Sequence, residues 1–128
     1  MMKLKIVLFG LVLAVIFALV PHLSFAQEIP TLKQGMPYYK ARNILLNSGW
    51  QAVFNRDILN SEKSAPVDFY FNKKEYTEIV DCAGSGLGLC LFQFQNAYGK
   101  KLMISTSNNG ESAQLFQWWI EKPDCKAE

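Results

Sequence analysis

The residues with the clearest chemical potential lie between Asp81 and Gln95. Cys82 and Cys90 bracket Ala83-Gly84-Ser85-Gly86-Leu87-Gly88-Leu89, and Cys90 opens the alternating run Cys90-Leu91-Phe92-Gln93-Phe94-Gln95. Two chemistries fit such a stretch: oxidation of the thiols to a disulfide, or a phosphate cradled by loop N–H groups. A flexible loop of this length can bring two cysteine Cα atoms to the roughly 5.5 Å that a disulfide needs. Closing it would contribute about 2–3 kcal/mol through chain entropy. The phosphate reading lacks the Gly-Lys-Ser/Thr ending and leads into a strand where that motif needs a helix. Gly84, Ser85, Gly86, Leu87 and Gly88 therefore read first as a connector whose glycines supply left-handed backbone. They are also a loop whose bare backbone a partner could approach closely.

Catalytic chemistry finds little support. The one histidine, His22, lies in the apolar leader described below, so the remaining chain has none. That excludes Ser-His-Asp and Cys-His nucleophilic catalysis and removes the usual general base near neutral pH. No Ser-x-x-Lys spacing anchors a serine-lysine alternative. Two positioned carboxylates can hydrolyse a glycoside, and Glu75, Glu78 and Asp81, or Asp57 and Glu62, are the available sets. Their surroundings read as solvated loop and strand-face charges. Three scattered thiols without histidine do not make a four-ligand zinc site. No cofactor is expected.

The first 26 residues have the form of a secretory signal peptide. Lys3 and Lys5 precede an apolar run from Ile6 to Val20, Pro21-His22 interrupts it, and Ser24-Phe25-Ala26 offers small residues before cleavage at Gln27. As a helix that run spans only about 22 Å, short of a roughly 30 Å hydrocarbon core, so no stable membrane span is expected after cleavage. Residues 27–128 then form one small exported domain, periplasmic or secreted. With Lys3 and Lys5 gone, 11 basic residues balance 11 acidic ones. The full chain's net charge of +2 is therefore no argument for nucleic acid. Export places Cys82, Cys90 and Cys125 in an oxidising compartment. An odd count leaves Cys125 free, joined to another chain, or paired with one of the other two.

These residues must be positioned by a small α+β domain. Tyr38, Ala41, Ile44, Leu45 and Ser48 share one face at helical spacing, with Lys40, Asn43 and Asn47 opposite. Pro37 opens that helix and Gly49 closes it. Trp50, Ala52 and Phe54 alternate as a short strand, residues 55–65 form a loop, and 66–71 are either a short helix or an edge element. Residues 75–81 read as a strand, with Tyr76, Glu78 and Val80 alternating against Thr77 and Ile79. Then come the strongest β signals. Cys90, Phe92 and Phe94 alternate with Gln93 and Gln95; after a turn at 96–99, Leu102, Ile104 and Thr106 share a face. Asn108-Asn109-Gly110 turns again, and 113–120 form the last strand. The expected architecture is one N-terminal helix on an antiparallel meander of about four strands.

Residues 29–50 carry a local resemblance. Ile29-Pro30-Thr31-Leu32, Gly35-Met36, Ala41-Arg42, Leu45 and Ser48-Gly49-Trp50 resemble the opening of a PASTA domain, in which a Pro-led strand and a glycine precede a helix carrying Ala-Arg. The resemblance implies a β-helix-β start and cell-wall or muropeptide binding. It does not extend to the cysteine loop or the aromatic hairpin, and it assigns no binding residue.

Fourteen of residues 27–128 are aromatic, most of them needed for a core. Adjacent on a strand, Trp118 and Trp119 must point to opposite faces. One packs beneath the helix and the other joins Gln93 and Gln95 on the second face, a composition suited to sugar stacking or a protein interface. The expected function is a non-catalytic exported binding protein whose partner is an envelope protein or cell-wall glycan. The alternative is an inhibitor or immunity protein that blocks a hydrolase with the stapled loop, which would lose little entropy on binding. A hydrolase acting through acidic residues is a remote third.

Overall fold

A computed structural model describes residues 28–122. The expected signal peptide, its cleavage at Gln27, and Cys125 lie outside the described residues. The elements in chain order are helix α1 (Tyr38–Asn47), strand β1 (Gln51–Ala52), a 3₁₀ turn (Arg56–Ile58), and a four-residue helix α2 (Ala65–Asp68) that widens into a π turn (Phe69–Lys73). Strands β2 (Ile79–Cys82), β3 (Cys90–Gln95), β4 (Lys101–Ser107) and β5 (Gln114–Ile120) follow.

The boundaries of α1 follow from its sequence. Pro37 stands at the N-cap with φ −56°. At the other end Gly49 adopts φ +88°, and Trp50 N–H donates to the Leu45 carbonyl at 3.0 Å while Gly49 N–H donates to that of Leu46. That pair of bonds is the glycine-dependent stop by which many helices end. Tyr38, Ala41 and Leu45 are buried as the spacing requires. Ile44 is only half-buried, and Ser48 is exposed, its hydroxyl capping the Ile44 carbonyl at 2.7 Å. The buried stripe is therefore narrower than expected, because Ser48 ends the helix and does not extend its apolar face.

The fold is α+β, with five antiparallel strands among the described residues where about four were expected. The order is β1-β3-β4-β5, and β2 shares with β1 the same edge of β3. β1 lies opposite Gln95 and Phe94; β2 lies opposite Phe92, Leu91 and Cys90. This shared edge explains why the first strand is short and why Phe54, expected on its buried face, is 46 % exposed. Val53 still donates to Gln93, but Gln93 in turn donates to Glu78 as β2 takes over the edge. The chain must leave the sheet at Phe54.

The strand expected over 75–81 begins only at Ile79. Glu75 has a left-handed φ of 58°, Ile79 N–H closes a turn on Tyr76, and a bulge at Val80 breaks the alternation. Glu78 and Ile79 are consequently both fully buried. Residues 66–71, ambiguous in sequence, are helical and bury Val67, Tyr70 and Phe71.

One face of the sheet carries the core. Cys90, Phe92 and Phe94 on β3 lie beside Thr106, Ile104 and Leu102 on β4, and Leu115 continues the layer on β5. α1 and the 65–73 helical segment cover this face. Tyr38 stacks on Phe92 at 4.0 Å between ring centroids, and Tyr70 meets Phe92 edge-on at 5.2 Å, within the range where ring pairs attract beyond their buried area. The β3–β4 turn is set by Asn96, whose Oδ1 accepts from Tyr98 N–H and Lys100 N–H, with Gly99 at φ +80°. No helix among the described residues is long and apolar enough to cross a membrane.

Candidate functional site

Cys82 and Cys90 are joined, and they face each other in the β2–β3 register with Cα atoms 4.0 Å apart. The disulfide therefore staples neighbouring strands at the mouth of the glycine loop. Inside it, Ala83 N–H donates to Leu89 O at 2.7 Å. The loop also leans on the β4–β5 turn: Asn108 N–H donates to Leu87 O at 3.0 Å. Gly88 has φ +65°, and a Cβ there would come within 3.1 Å of the Asn109 backbone nitrogen. Gly84, Ser85 and Gly86 are exposed, and the Leu87 side chain stands out at 62 % exposure. The loop is anchored at both ends and presents one apolar residue to solvent.

The second face of the sheet has no described element over it. The registers place Gln93, Met103 and Trp119 side by side across β3, β4 and β5. Leu91, Ser105 and Gln117 form the neighbouring row, and Gln95 stands beside Lys101. A bulge at Phe116 separates the Ser105–Gln117 pair from the Thr106–Leu115 pair. Trp119 is 41 % exposed, whereas Trp118 turns to the core side opposite Ile104 and packs against the buried cluster. Met103 and Ser105 are nonetheless buried on this face. Gln93 itself edges a hollow of about 370 Å³ whose other lining residues are Val53, Phe54, Asn55, Arg56, Asp57, Glu78 and Val80. Strand spacing puts Trp119 about 10 Å from Gln93.

A third feature was not foreseen. Glu78, expected as a solvated strand-face charge, is fully buried. Its Oε1 accepts from the Tyr38 hydroxyl at 2.8 Å and from Arg42 Nε at 2.6 Å, and its Oε2 lies 3.4 Å from an Arg42 terminal nitrogen. Arg42 also sits over the Tyr76 ring, 4.6 Å from its centre. The turn preceding β2 drives Glu78 inward, and α1 supplies both partners one turn apart, at positions 38 and 42. Burial, and then the adjacent Glu78 charge, push the Tyr38 hydroxyl well above the usual tyrosine range. Burial pulls Arg42 downward, but its hydrogen bond and charge attraction to Glu78 outweigh that and hold it above its ordinary value. Such a carboxylate is pinned between two donors with its side chain out of solvent, and Glu78 also borders the hollow beside Gln93. Of its expected acidic companions, Glu75 and Asp81 are both exposed, and Asp81 accepts from Cys82 N–H. Among the described residues no three of His, Cys, Asp and Glu converge as a metal site would require.

The structure thus gathers Gln93, Gln95 and Trp119 on one surface, separates Trp118 from them, and sets the 84–88 loop at the end of the sheet next to the β4–β5 turn. The spacing of Tyr38 and Arg42 on one helix face was the available signal for Glu78: an arginine beside a buried stripe calls for an acid to meet it. No protein-family model matches this chain, and neither the curated proteins nor the solved structures contain a match.

Proposed function

We propose that this protein is a non-catalytic binding protein of the cell envelope that takes a cell-wall glycan on the open face of its sheet. One observation carries the proposal: Gln93, Met103 and Trp119 lie in register on a face that no described element covers. An exposed indole offers a flat apolar surface to a sugar ring. Gln93, Gln95 and Gln117 supply amide donors and acceptors around it, and the hollow edged by Asn55, Arg56 and Asp57 gives the far end of a short oligosaccharide further polar contacts. The disulfide accords with an exported protein. The PASTA-like opening at 29–50 points towards the same class of ligand.

The test is co-sedimentation with insoluble cell-wall glycan. Trp119→Ala should lower the bound fraction at least about tenfold, the scale of one buried aromatic contact. Trp118→Ala should affect stability more than binding. Equal retention of wild type and Trp119→Ala would defeat the proposal.

A second reading rests on Leu87, which stands exposed at the tip of a loop stapled by Cys82–Cys90. A constrained apolar tip suits insertion into a hydrolase cleft. Shortening Gly84–Gly88 should then abolish inhibition of the target hydrolase while the domain stays folded; retained inhibition would exclude it.

A further inference from the structure

The end of the sheet remote from the stapled loop gathers charge of one sign. Past the Leu102–Ile120 pair the β4–β5 ladder continues, since Glu121 N–H donates to Lys101 O at 2.9 Å. That bond sets Glu121 opposite Lys101. The same register, carried one residue further, sets Lys122 opposite Lys100. Like charges facing each other across neighbouring strands destabilise a sheet. By alternation Lys101 and Glu121 belong to the open face, so this acid stands on the other side of the sheet from the opposed pair. Among the described residues none of the three lysines forms an ion pair.

The hairpin itself does not call for this arrangement. Its turn is closed by Asn96, whose Oδ1 accepts from Tyr98 N–H and Lys100 N–H and whose own N–H donates to Lys100 O at 3.0 Å. No lysine side chain takes part. The turn instead holds Tyr98 and Lys100 on a fixed frame, beside a hollow of about 430 Å³. All three lysines line that hollow together with Tyr98 and Ile120, and Glu121 is its single acid. Tyr98 is 65 % exposed, and Ile120 is exposed as well.

We infer that this hollow binds a phosphate monoester carried on a sugar ring. The charge count favours phosphate. Three lysines less one glutamate leave two positive charges around the hollow, and a phosphate monoester carries about 1.5 to 2 negative charges at neutral pH. A carboxylate would balance only one of them. Lysine binds phosphate as a point charge, without the planar geometry that a carboxylate offers to arginine. An anion between Lys100 and Lys122 also turns their mutual repulsion into attraction for a shared partner. Phosphate alone is far smaller than the hollow. The remaining space adjoins Tyr98 and Ile120, whose apolar surfaces suit the face of a sugar ring. This site does not rest on the glycan reading, because it is measured with small phosphates and no cell-wall glycan.

The test is calorimetric titration of the full chain, purified as the cell processes it, with glucose 1-phosphate. Saturable binding near or below about 1 mM is expected, weakening as salt is raised. Lys100→Gln and Lys122→Gln should each weaken it at least about fivefold, whereas Lys40→Gln, on the exposed side of α1, should leave it unchanged. Inorganic phosphate should bind more weakly and glucose not at all. Tyr98→Ala should lower glucose 1-phosphate to the level of inorganic phosphate. Without any phosphate, Lys122→Gln should raise the urea midpoint, since it relieves the opposed pair. Phosphatidylcholine vesicles containing phosphatidic acid should retain the chain no better than phosphatidylcholine alone. Retention on phosphatidic acid that needs Lys100 and Lys122, with no binding of glucose 1-phosphate, would overturn the sugar assignment in favour of a lipid headgroup. The site itself would be overturned by no saturable heat at about 10 mM glucose 1-phosphate, by equal losses in Lys40→Gln, or by a urea midpoint that Lys122→Gln does not raise.

Discussion

Glu78 is the residue on which the N-terminal half of the domain converges. It ties α1 to the turn before β2 through Tyr38 and Arg42, two contacts separated from it by 40 and 36 positions. Removing one member of a buried ion pair strands the other, at about 3–5 kcal/mol for full burial. Arg42 retains some solvent access, so Glu78→Ala should cost the lower part of that range, about 3 kcal/mol, read from urea midpoints at constant m value. Tyr38→Phe loses one hydrogen bond to a charged acceptor, about 1.5–3 kcal/mol. The same contact predicts a pH dependence. Tyr38 titrates higher folded than unfolded, so the fold favours its neutral form. That stability is complete below the unfolded value near 10 and is lost as pH rises above it. Tyr70, raised mainly by burial, acts in the same direction. Urea melts between pH 8 and 11 should show falling stability above about pH 10, with a shallower fall in Tyr38→Phe.

At the scale of elements, β3 was legible because it obeys a period of two throughout, whereas β4 is buried from Leu102 to Thr106 and shows that period only in its core-facing residues. Cys90, Phe92 and Phe94, and then Leu102, Ile104 and Thr106, are buried as their alternation requires. The turns at 96–99 and 108–110 carry the glycine and asparagine their backbone needs. Periodicity failed where tertiary competition intervened. Phe54 alternates correctly with Ala52, yet β2 takes the edge it would have paired with. Glu78 alternates with Val80, yet a turn and a bulge shift it inward. The first event depends on β2, more than 20 positions away; the second is a local turn and bulge, but what receives Glu78 is Tyr38 and Arg42, 40 and 36 positions away. The open face was legible in part: one tryptophan had to join Gln93 and Gln95, but only the β4–β5 bulge determines that it is Trp119. Trp118→Ala should therefore destabilise by about 2–3 kcal/mol, reduced from the full core value by its partial exposure. Trp119→Ala should change stability by less than about 1 kcal/mol in the same urea melts. Joint replacement of Cys82 and Cys90 by serine should cost about 2–3 kcal/mol, the entropy of the loop they close. Gly88→Ala should destabilise more than Gly86→Ala, because both have left-handed φ but only Gly88 is crowded by Asn109.

At the scale of the molecule, the sheet divides the domain into a filled side and an open one. Both helical segments, the aromatic cluster and the buried ion pair lie on the filled side, so the rigidity of the sheet is secured from behind. The other face holds Gln93, Met103 and Trp119 in register with no described element over it, and a preorganised face binds at a smaller ordering cost. The stapled loop borders the sheet at its end, against the β4–β5 turn, and β5 forms its edge. The central claim is that the open face receives the glycan. Amide and indole chemical-shift mapping of the isotopically labelled protein, titrated with soluble cell-wall glycan fragments, tests it most directly. The predicted result is saturable movement of the Trp119 indole and the Gln93, Gln95 and Gln117 side-chain amides, with Trp118 nearly still. Shifts confined to residues 83–89, or none at millimolar fragment, would contradict it.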